Sequence, residues 1–309
     1  MKHKQPLVSV IMPVHNAGRF LTPAIESILN QTYTRIEFII VDDASTDGSW
    51  NIIKEYQRKY PNRIKAIRVA KQTNAAGNGA MNVGLTRARG AFIARMDADD
   101  IARPKRIEKQ VAYLLDHPDT ILVGTQATII DKHGTAIGTK AVPTDHEAIY
   151  RQYGILHPII HPSVMILRSL LPNPNKIYTM KWSVNDDYYT FFKLLKYGKF
   201  ANLPESLIKY RIHGQNLSLA KPKERFLTSV LIRIDAVAHL NYRISPEAFF
   251  FLILQLLIVP LIPERLIVPV YMLVRGIRTP SIVHETVSKL RSFFTTTKQP
   301  TSLVYARNL

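Results

Sequence analysis

The chain has 309 residues, with 41 Lys and Arg against 23 Asp and Glu, so its formal net charge is +18, and it has no cysteine. The absence of cysteine excludes disulfides, thiolate nucleophiles and cysteine-based zinc sites, while the positive charge favours an anionic partner such as nucleic acid, acidic lipid or a phosphorylated substrate. With 46% hydrophobic residues, 13 Gly and 19 Pro, the composition is that of an ordinary globular protein.

The first hundred residues alternate between short apolar runs and amphipathic segments, which predicts an α/β fold. Four strands are predicted, at 8–14, 36–41, 64–70 and 91–96. Helices are predicted around 20–29, 49–60, within 77–90, and at 103–115. Because the strands are continuous apolar runs, we expect a mostly parallel sheet that is covered by helices on both faces.

The second part of the chain has a looser pattern. Two strands are predicted around a turn at His133-Gly134, and a helical segment is predicted around Tyr188 to Leu195. From Phe226 onward the chain is predicted to be helical. We therefore expect a catalytic-sized α/β domain at 1–220 and a helical C-terminal region at 221–309.

Polar and acidic side chains follow three of the predicted strands. Strand one ends in PVHN (13–16), strand two in Asp42-Asp43, and strand four in DADD (97–100). The carboxyl ends of parallel strands meet at one edge of a sheet, where ligands bind. Carboxylates so close together repel one another unless a cation lies between them, and Mg²⁺ or Mn²⁺ is commonly held by one or two carboxylates and by substrate phosphates. The sequence therefore predicts a metal and nucleotide site.

These motifs also have other interpretations. The segment DDASTDGS fits a helix cap as well as it fits a ligand site, and it fails as an EF-hand because Lys54 stands where a bidentate Glu is required. Strand one leads into HNAGRF, which is neither a Walker loop nor a dinucleotide fingerprint. His157 and His161 are four residues apart, but the prolines of HPIIHP prevent a zinc-binding helix, so we interpret both as pocket lining or core.

Six segments between residue 7 and about residue 218 resemble the family 2 glycosyltransferases, which are inverting, nucleotide-sugar-dependent enzymes with the GT-A fold. They are VSVIMPVHNAGRFLTPAIESILNQTY, EFIIVDDASTDGS, NVGLTRARGAFIARMDADDIARPKRIEKQ, HPSVMILR, NDDYYTFFKLLKYG and LIKYRIHGQNLS. Six segments in the same order are far more specific than any one of them.

The resemblance implies a set of nucleotide-binding residues. Pro13, His15 and Asn16 are expected to border the nucleotide, and Asn82 is expected to contribute to the same site. Asp43 is expected to accept a hydrogen bond from the uracil ring.

The resemblance also implies metal and catalytic residues. The segment DAD is similar to the D-x-D signature of the family, in which Asp99 contacts the metal and Asp97 lies near the ribose or a metal-bound water. NDDY resembles the pair whose second member is the catalytic base, which falls on Asp187, with Asp186 in the position of a Glu. His213 resembles a histidine that reaches the metal or the diphosphate.

Three positions depart from the pattern of the family. Met81 stands where many relatives have Arg, His15 stands where Tyr is frequent, and Asp186 replaces Glu. Two assignments also have a purely structural interpretation, because Asp187 fits a helix N-cap and His213 fits an ordinary surface or core histidine.

These observations predict an enzyme that moves a sugar from a nucleotide diphosphate sugar, expected to be a UDP-sugar, to a glycan or lipid-linked acceptor in surface polysaccharide synthesis. A divalent ion on Asp99 would neutralise the leaving diphosphate, and Asp187 would act as the general base. The alternatives are a sugar nucleotidyltransferase, for which VHNAGRF is a poor loop, and a basic nucleic-acid-binding protein, which the acidic site argues against.

Two apolar segments stand out near the C-terminus, at 248–262 and 266–274. Neither reaches the roughly 18 to 20 residues that a membrane-spanning helix needs. Pro260 lies in the first segment, Pro269 in the second, and Pro263 between the two. Because these prolines interrupt the apolar stretch, we expect short helices that dip into one leaflet.

Residues 240–309 contain 8 Lys or Arg and 3 Asp or Glu, which suits an anionic membrane surface. We therefore expect a cytoplasmic protein that is peripheral or monotopic on the inner face of the cell membrane. The alternative is a helical hairpin that is buried against the catalytic domain or a partner subunit.

Overall fold

The computed structural model describes residues 5–73, 77–182, 185–214, 216, 221–263, 266–267, 270, 272 and 277–278. The strands are β1 (Val8–Val14), β2 (Ile36–Asp42), β3 (Ile64–Arg68), β4 (Phe92–Arg95), β5 (Ile101–Ala102), β6 (Thr120–Ile130), β7 (Ala136–Lys140), β8 (Met165–Leu167), β9 (Lys199–Arg211) and β10 (Ile277–Arg278). The α-helices are α1 (Leu21–Leu29), α2 (Ser49–Lys59), α3 (Asn78–Leu85), α4 (Arg106–Asp116), α5 (His146–Tyr153), α6 (Asp186–Leu194), α7 (Pro222–His239) and α8 (Pro246–Ile258).

All ten strands belong to one sheet. Its main path runs β10-β7-β6-β8-β4-β1-β2-β3, and β9 pairs with both β5 and β6. The pairs β1–β2, β1–β4, β2–β3 and β6–β9 are parallel, whereas the other five are antiparallel. The α/β fold is confirmed, and its first four strands make the expected parallel pairings, while the later strands make the sheet mixed.

Helices cover both faces of the sheet. Val10 and Met12 of β1 face a core with α1, α2 and α4, whereas Ile11 faces a second core with α3, α5, α6 and α7. Alternate residues of a strand point to opposite faces, so a strand that is covered on both sides must be apolar throughout. That requirement explains why β1 and β2 read as continuous apolar runs.

The turn predicted at His133-Gly134 joins two antiparallel strands, β6 and β7. Gly134 has a φ of +90°, a conformation that favours glycine. Asp131 Oδ1 accepts hydrogen bonds from the backbone N–H groups of His133 (2.8 Å) and Thr135 (2.9 Å). The turn is therefore set by local chemistry, which is why the sequence alone located it.

The C-terminal helices begin close to the expected boundary near residue 220, and the division into two domains stays a prediction. Ile232 and Ala236 of α7 are buried in the same core as Tyr153 and Phe192, so α7 packs on the α/β domain. Within the described ranges, no helix has the combination of length and apolar character that a bilayer crossing demands. Most of the second apolar segment, 266–274, lies outside the described residues.

The close approach of α3 to the sheet gives a stability prediction. A Cβ atom on Gly84 would lie 2.5 Å from Ile11 Cγ2 and 3.3 Å from Val41 Cγ2. Gly84→Ala should therefore lower the free energy of unfolding by about 1–3 kcal/mol in urea denaturation, because the added methyl overpacks a filled core. Thr86→Ala, at an exposed position just after α3, is the control and should change it by less than about 0.5 kcal/mol. Equal stability of Gly84→Ala and the wild type would contradict this packing.

Candidate active site

A cleft of about 890 Å³ opens where the parallel strands β1, β2 and β4 end. Eight of the ten residues that the sequence analysis proposed for the site line this cleft, namely Pro13, His15, Asn16, Asp43, Asp97, Asp99, Asp187 and His213. Asn82 and Asp186 are not among its described lining residues. The fold thus brings side chains from widely separated segments to one place.

The ends of β1 and β2 are joined by hydrogen bonds. His15 Nδ1 donates to the carbonyl oxygen of Asp43 at 2.8 Å, and the backbone N–H of Asn16 donates to Ser45 Oγ at 3.0 Å. Asn16 and Ala44 have φ values of 51° and 57°, in the left-handed region that non-glycine residues seldom adopt. Such conformations persist only where the surroundings enforce them, and they concentrate at functional sites.

Asp43 is almost fully buried at the end of β2. Its Oδ1 accepts the backbone N–H of Thr73 at 2.8 Å, and its Oδ2 accepts the Thr73 hydroxyl at 3.0 Å. Each carboxylate oxygen has two lone pairs, so these bonds fix the orientation of the group without exhausting its capacity to accept. Asp43 can therefore present an acceptor to a ligand in the cleft.

The acidic loop, residues 97–100, is held by a different partner at each carboxylate. Asp97 Oδ1 accepts a hydrogen bond from Arg95 Nε at 2.7 Å, and the Arg95 side chain is only 4% exposed. Asp99 Oδ2 lies 3.0 Å from Nε2 of His213, which follows β9. Asp100 is buried and accepts the backbone N–H of Arg211 at 2.8 Å. The end of β9 is thus tied directly to the acidic loop.

The acidic loop concentrates negative charge in a partly desolvated place. Burial raises the pKa of Asp97, the guanidinium of Arg95 opposes that rise, and the neighbouring charge of Asp99 adds to it. Burial also raises the pKa of Asp100 well above its ordinary value. A cation placed beside such carboxylates stabilises their ionised forms, so the local electrostatics favour a bound metal ion.

Asp99 Oδ2 and His213 Nε2 are at hydrogen-bond distance, 3.0 Å, which is also short enough for both atoms to bind one metal ion. Two ligand atoms about 2.1 Å from an octahedral Mg²⁺ and at right angles to each other lie about 3.0 Å apart. In the part of the chain that the structure describes, no three His, Cys, Asp or Glu side chains cluster to enclose a metal by themselves. The residues present therefore fit an ion whose remaining ligands are waters and substrate phosphates.

Asp187 lies in the first turn of α6 and lines the cleft, with 24% of its side chain exposed. Its Oδ2 lies 3.4 Å from His157 Nε2 and 3.4 Å from His161 Nδ1. Both histidines also line the cleft, as the sequence analysis expected. Asp186 differs from its neighbour, because it is buried and its Oδ1 accepts the backbone N–H of Trp182 at 2.6 Å.

Asn82 also makes contacts within the protein. Its Nδ2 donates to the carbonyl oxygen of Tyr178 at 2.8 Å, and its Oδ1 accepts the backbone N–H of the same residue at 3.0 Å. The side chain thus anchors the segment that precedes α6. The preceding residue, Met81, is buried in the core.

Arg95 is a site residue that the sequence analysis missed. It lines the cleft, donates to Asp97, and places Nη1 3.3 Å from Oδ1 of Asn78, which also lines the cleft. The sequence contains a signal for this role of Arg95, because Arg95 is the one cation in the predicted strand 91–96 and stands two positions before Asp97. A charged residue in a run that is otherwise apolar and buried needs a partner, and here the partner belongs to the site.

Comparison with known proteins agrees with this geometry. The family described as "Glycosyl transferase family 2" matches residues 9–172 of the 309. An uncharacterised glycosyltransferase of Haemophilus influenzae is 34% identical over 243 residues, which cover 76% of this chain and 74% of the relative. The O-antigen biosynthesis glycosyltransferase WbnJ of Escherichia coli is 30% identical over 213 residues, which cover 68% of this chain and 81% of the relative.

Two solved structures share the fold at 18% sequence identity. A mannosyltransferase from Pyrobaculum calidifontis, in complex with GDP-Man and Mn²⁺, aligns with a TM-score of 0.60 over 96% of this chain and 80% of its own. TarS 1–349 of S. aureus, in complex with UDP-GlcNAc, aligns with a TM-score of 0.56 over 74% of this chain and 66% of its own.

The mixed sheet with helices on both faces and a cleft at the ends of its parallel strands is the GT-A fold. The chain belongs to glycosyl transferase family 2.

Proposed function

We propose that this glycosyltransferase moves a sugar from a UDP-sugar to a glycan or lipid-linked acceptor in surface polysaccharide synthesis, with inversion and with the help of a divalent cation. The observation that carries the proposal is that Asp43, Asp99 and Asp187, from three distant segments, line one cleft. Those carboxylates correspond to the three tasks of the reaction, which are holding the base of the nucleotide, neutralising the diphosphate and activating the acceptor.

Support for a uridine donor comes from Asp43. Thr73 orients this buried carboxylate, which can accept the ring N–H of uracil through a lone pair that the protein leaves available. The TarS structure, which shares the fold, was solved with UDP-GlcNAc, whereas the mannosyltransferase structure contains GDP-Man. The choice of nucleotide is therefore the first question for an assay.

Support for metal use comes from the acidic loop and His213. Asp99 and His213 would hold Mg²⁺ or Mn²⁺, which supplies Lewis-acid stabilisation of the negative charge on a leaving diphosphate. Arg95 balances part of the charge of Asp97, and Asp100 ties the acidic loop to β9 through Arg211. The protein residues thus preorganise the loop before the donor binds.

In the proposed reaction, Asp187 accepts the proton of the acceptor hydroxyl. The acceptor oxygen forms its bond to the anomeric carbon as the bond from that carbon to the diphosphate oxygen breaks, and UDP leaves. Attack on the face opposite to the diphosphate inverts the anomeric configuration. General-base assistance of this kind contributes about 10²- to 10⁴-fold to the rate.

Support for an acceptor in polysaccharide synthesis comes from relatives and from charge. WbnJ of Escherichia coli is named an O-antigen biosynthesis glycosyltransferase. Lys140 and Arg225 also line the cleft, and these cations suit an acceptor that carries phosphate or carboxylate groups.

We also propose that the C-terminal helices bind an anionic membrane surface. On α8 and just after it, Phe250, Leu257 and Leu261 are 63%, 65% and 81% exposed. Helix α8 packs on α7 through a hydrogen bond from Arg233 Nη1 to Gln255 Oε1 at 3.0 Å, so this apolar surface is fixed to the catalytic domain. An exposed apolar helix on a protein of net charge +18 has the features of an interfacial anchor, and we propose a lipid partner rather than nucleic acid.

The proposed reaction is tested by a donor screen with UDP-Glc, UDP-Gal, UDP-GlcNAc and GDP-Man, each with Mn²⁺, Mg²⁺ or EDTA. We expect turnover of a UDP-sugar that EDTA abolishes and a product whose anomeric configuration NMR shows to be inverted.

Asp187→Asn should lower kcat by about 10²- to 10⁴-fold because the base is lost, with the affinity for UDP unchanged. Asp99→Asn should also abolish transfer.

Asp119→Asn, in an exposed ion pair with Lys199 outside the cleft, is the matched control for the two aspartate variants and should keep kcat within about twofold. Near-normal transfer by Asp187→Asn, with the control also active, would remove this residue as the base.

The membrane proposal is tested by flotation of the full chain with vesicles of phosphatidylcholine alone or with phosphatidylglycerol added. We expect binding to the anionic vesicles that weakens at high salt. The double variant Phe250→Ser and Leu257→Ser should lower the partition coefficient at least about tenfold, because each side chain contributes roughly 1.5–3 kcal/mol when it is buried in the interface. Leu115→Ser, at a leucine on α4 that is 55% exposed, is the control and should bind like the wild type. No binding to anionic vesicles would contradict the proposal.

A further inference from the structure

We infer that His157 and His161 are positioning residues, which hold the carboxylate of Asp187 by its Oδ2 atom and keep it directed into the cleft. Their Nε2 and Nδ1 atoms, respectively, each lie 3.4 Å from that oxygen. The inference rests on the proposed function, because it takes Asp187 to be the base that receives the acceptor proton.

The hydrogen-bond partners of His161 determine which of its nitrogens carries the proton. The guanidinium of Arg95 can only donate, and it lies beside Tyr178, with its Cζ atom 5.8 Å from the ring centroid. We assign the Tyr178 hydroxyl as the donor to His161 Nε2, which lies 2.9 Å away, because a cation beside the hydroxyl favours the orientation in which its proton points away from Arg95. The proton of a neutral His161 is then on Nδ1, the nitrogen that faces Asp187.

The proton of His157 is assigned by a backbone contact. The N–H of Ile159 donates to His157 Nδ1 at 3.3 Å, so Nδ1 is the acceptor nitrogen of the ring. The proton of a neutral His157 is consequently on Nε2, which faces Asp187. Nε2 of His157 and Nδ1 of His161 thus face the same carboxylate oxygen, each at a distance of 3.4 Å.

The aromatic surroundings keep both imidazoles in place. The side chain of His157 is 5% exposed, and its ring stacks on Tyr188 with centroids 5.1 Å apart. The buried ring of Phe191 meets both imidazoles edge to face, at 5.7 Å from His157 and 5.4 Å from His161. Neither imidazole can turn without displacing core side chains from α6.

Neutral imidazoles suit this task better than imidazolium ions. Burial lowers the pKa of His161 well below its ordinary value, and the positive charge of Arg95 lowers it further. A neutral N–H donor orients the carboxylate and leaves it the negative charge that proton abstraction requires. A cation in the same place would stabilise the ionised carboxylate more strongly and make it a weaker base.

The same contacts connect the two halves of the site. Asp97 accepts from Arg95, whose guanidinium lies beside Tyr178; the Tyr178 hydroxyl is 2.9 Å from His161 Nε2, and His161 Nδ1 faces Asp187 at 3.4 Å. The orientation of the proposed base is therefore set by the same arginine that holds the acidic loop. The spacing that resembled a zinc motif serves a different purpose, because within the described residues these histidines and Asp187 do not form a metal-binding cluster.

The test uses amides that imitate one imidazole nitrogen at a time. The amide nitrogen of Asn occupies roughly the position of Nδ1, and that of Gln roughly the position of Nε2. His161→Asn and His157→Gln therefore keep a donor facing Asp187, whereas His161→Gln and His157→Asn misplace it. We expect the matched variants to keep kcat within about tenfold and the mismatched ones to lose about 10²-fold, the cost of a misplacement near 1 Å.

Activity is measured as UDP release from the UDP-sugar that the donor screen selects, and binding of UDP with Mn²⁺ is measured by calorimetry. The Kd for UDP should stay within about twofold in all four variants, because the histidines act through Asp187 and not on the nucleotide. His133→Gln, at the exposed turn between β6 and β7, is the matched control and should behave like the wild type.

The outcomes separate this inference from the proposed function. Inactive Asp187→Asn together with full activity in all four histidine variants would overturn the inference and leave the base in place. Equal loss in the matched and mismatched variants would also overturn it, because a merely structural role does not distinguish the two nitrogens. Full activity of Asp187→Asn would instead overturn the proposed function on which the inference rests.

Discussion

Repulsion among the carboxylates of the acidic loop is the constraint on which the rest of the site depends. Asp97, Asp99 and Asp100 stand within four positions, and burial raises the pKa of the first and the last. The protein supplies a guanidinium at Asp97 and a backbone N–H at Asp100. These contacts orient the loop and leave Asp99 beside His213, and we propose that a divalent cation completes the balance of charge there.

The two halves of the fold have different tasks in this arrangement. The parallel strands β1, β2 and β4 end at one edge and form the side of the cleft that we assign to the nucleotide. The later part of the chain brings β9, which pairs with β5 and β6, and α6 to the same edge, and with them His213 and Asp187. Arg95 lies between both sides, since it holds Asp97 and lies beside Tyr178, which contacts His161, so loss of Arg95 should affect both the acidic loop and the proposed base.

Local patterns in the sequence were sufficient for the first half of the fold, because apolar periodicity is a property of neighbouring residues. The strand ends at Asp43 and Asp97 were placed correctly for the same reason. Long-range pairing has no such local signal, so the pairings of β8 and β9 were not predicted. Asp186 and Asp187 are adjacent in α6, yet one is buried and one lines the cleft. Only the packing of the helix decides between them.

The central claim is that Asp99 and His213 hold a divalent cation together with the diphosphate of the donor. Anomalous diffraction at the manganese edge, from crystals grown with UDP and MnCl₂, tests it most directly. The account predicts an anomalous peak about 2.1 Å from Asp99 Oδ2 that also contacts the β-phosphate of UDP. Two results would contradict this claim. One is bound UDP whose phosphates lie away from the acidic loop, and the other is a manganese peak that no residue of the acidic loop contacts.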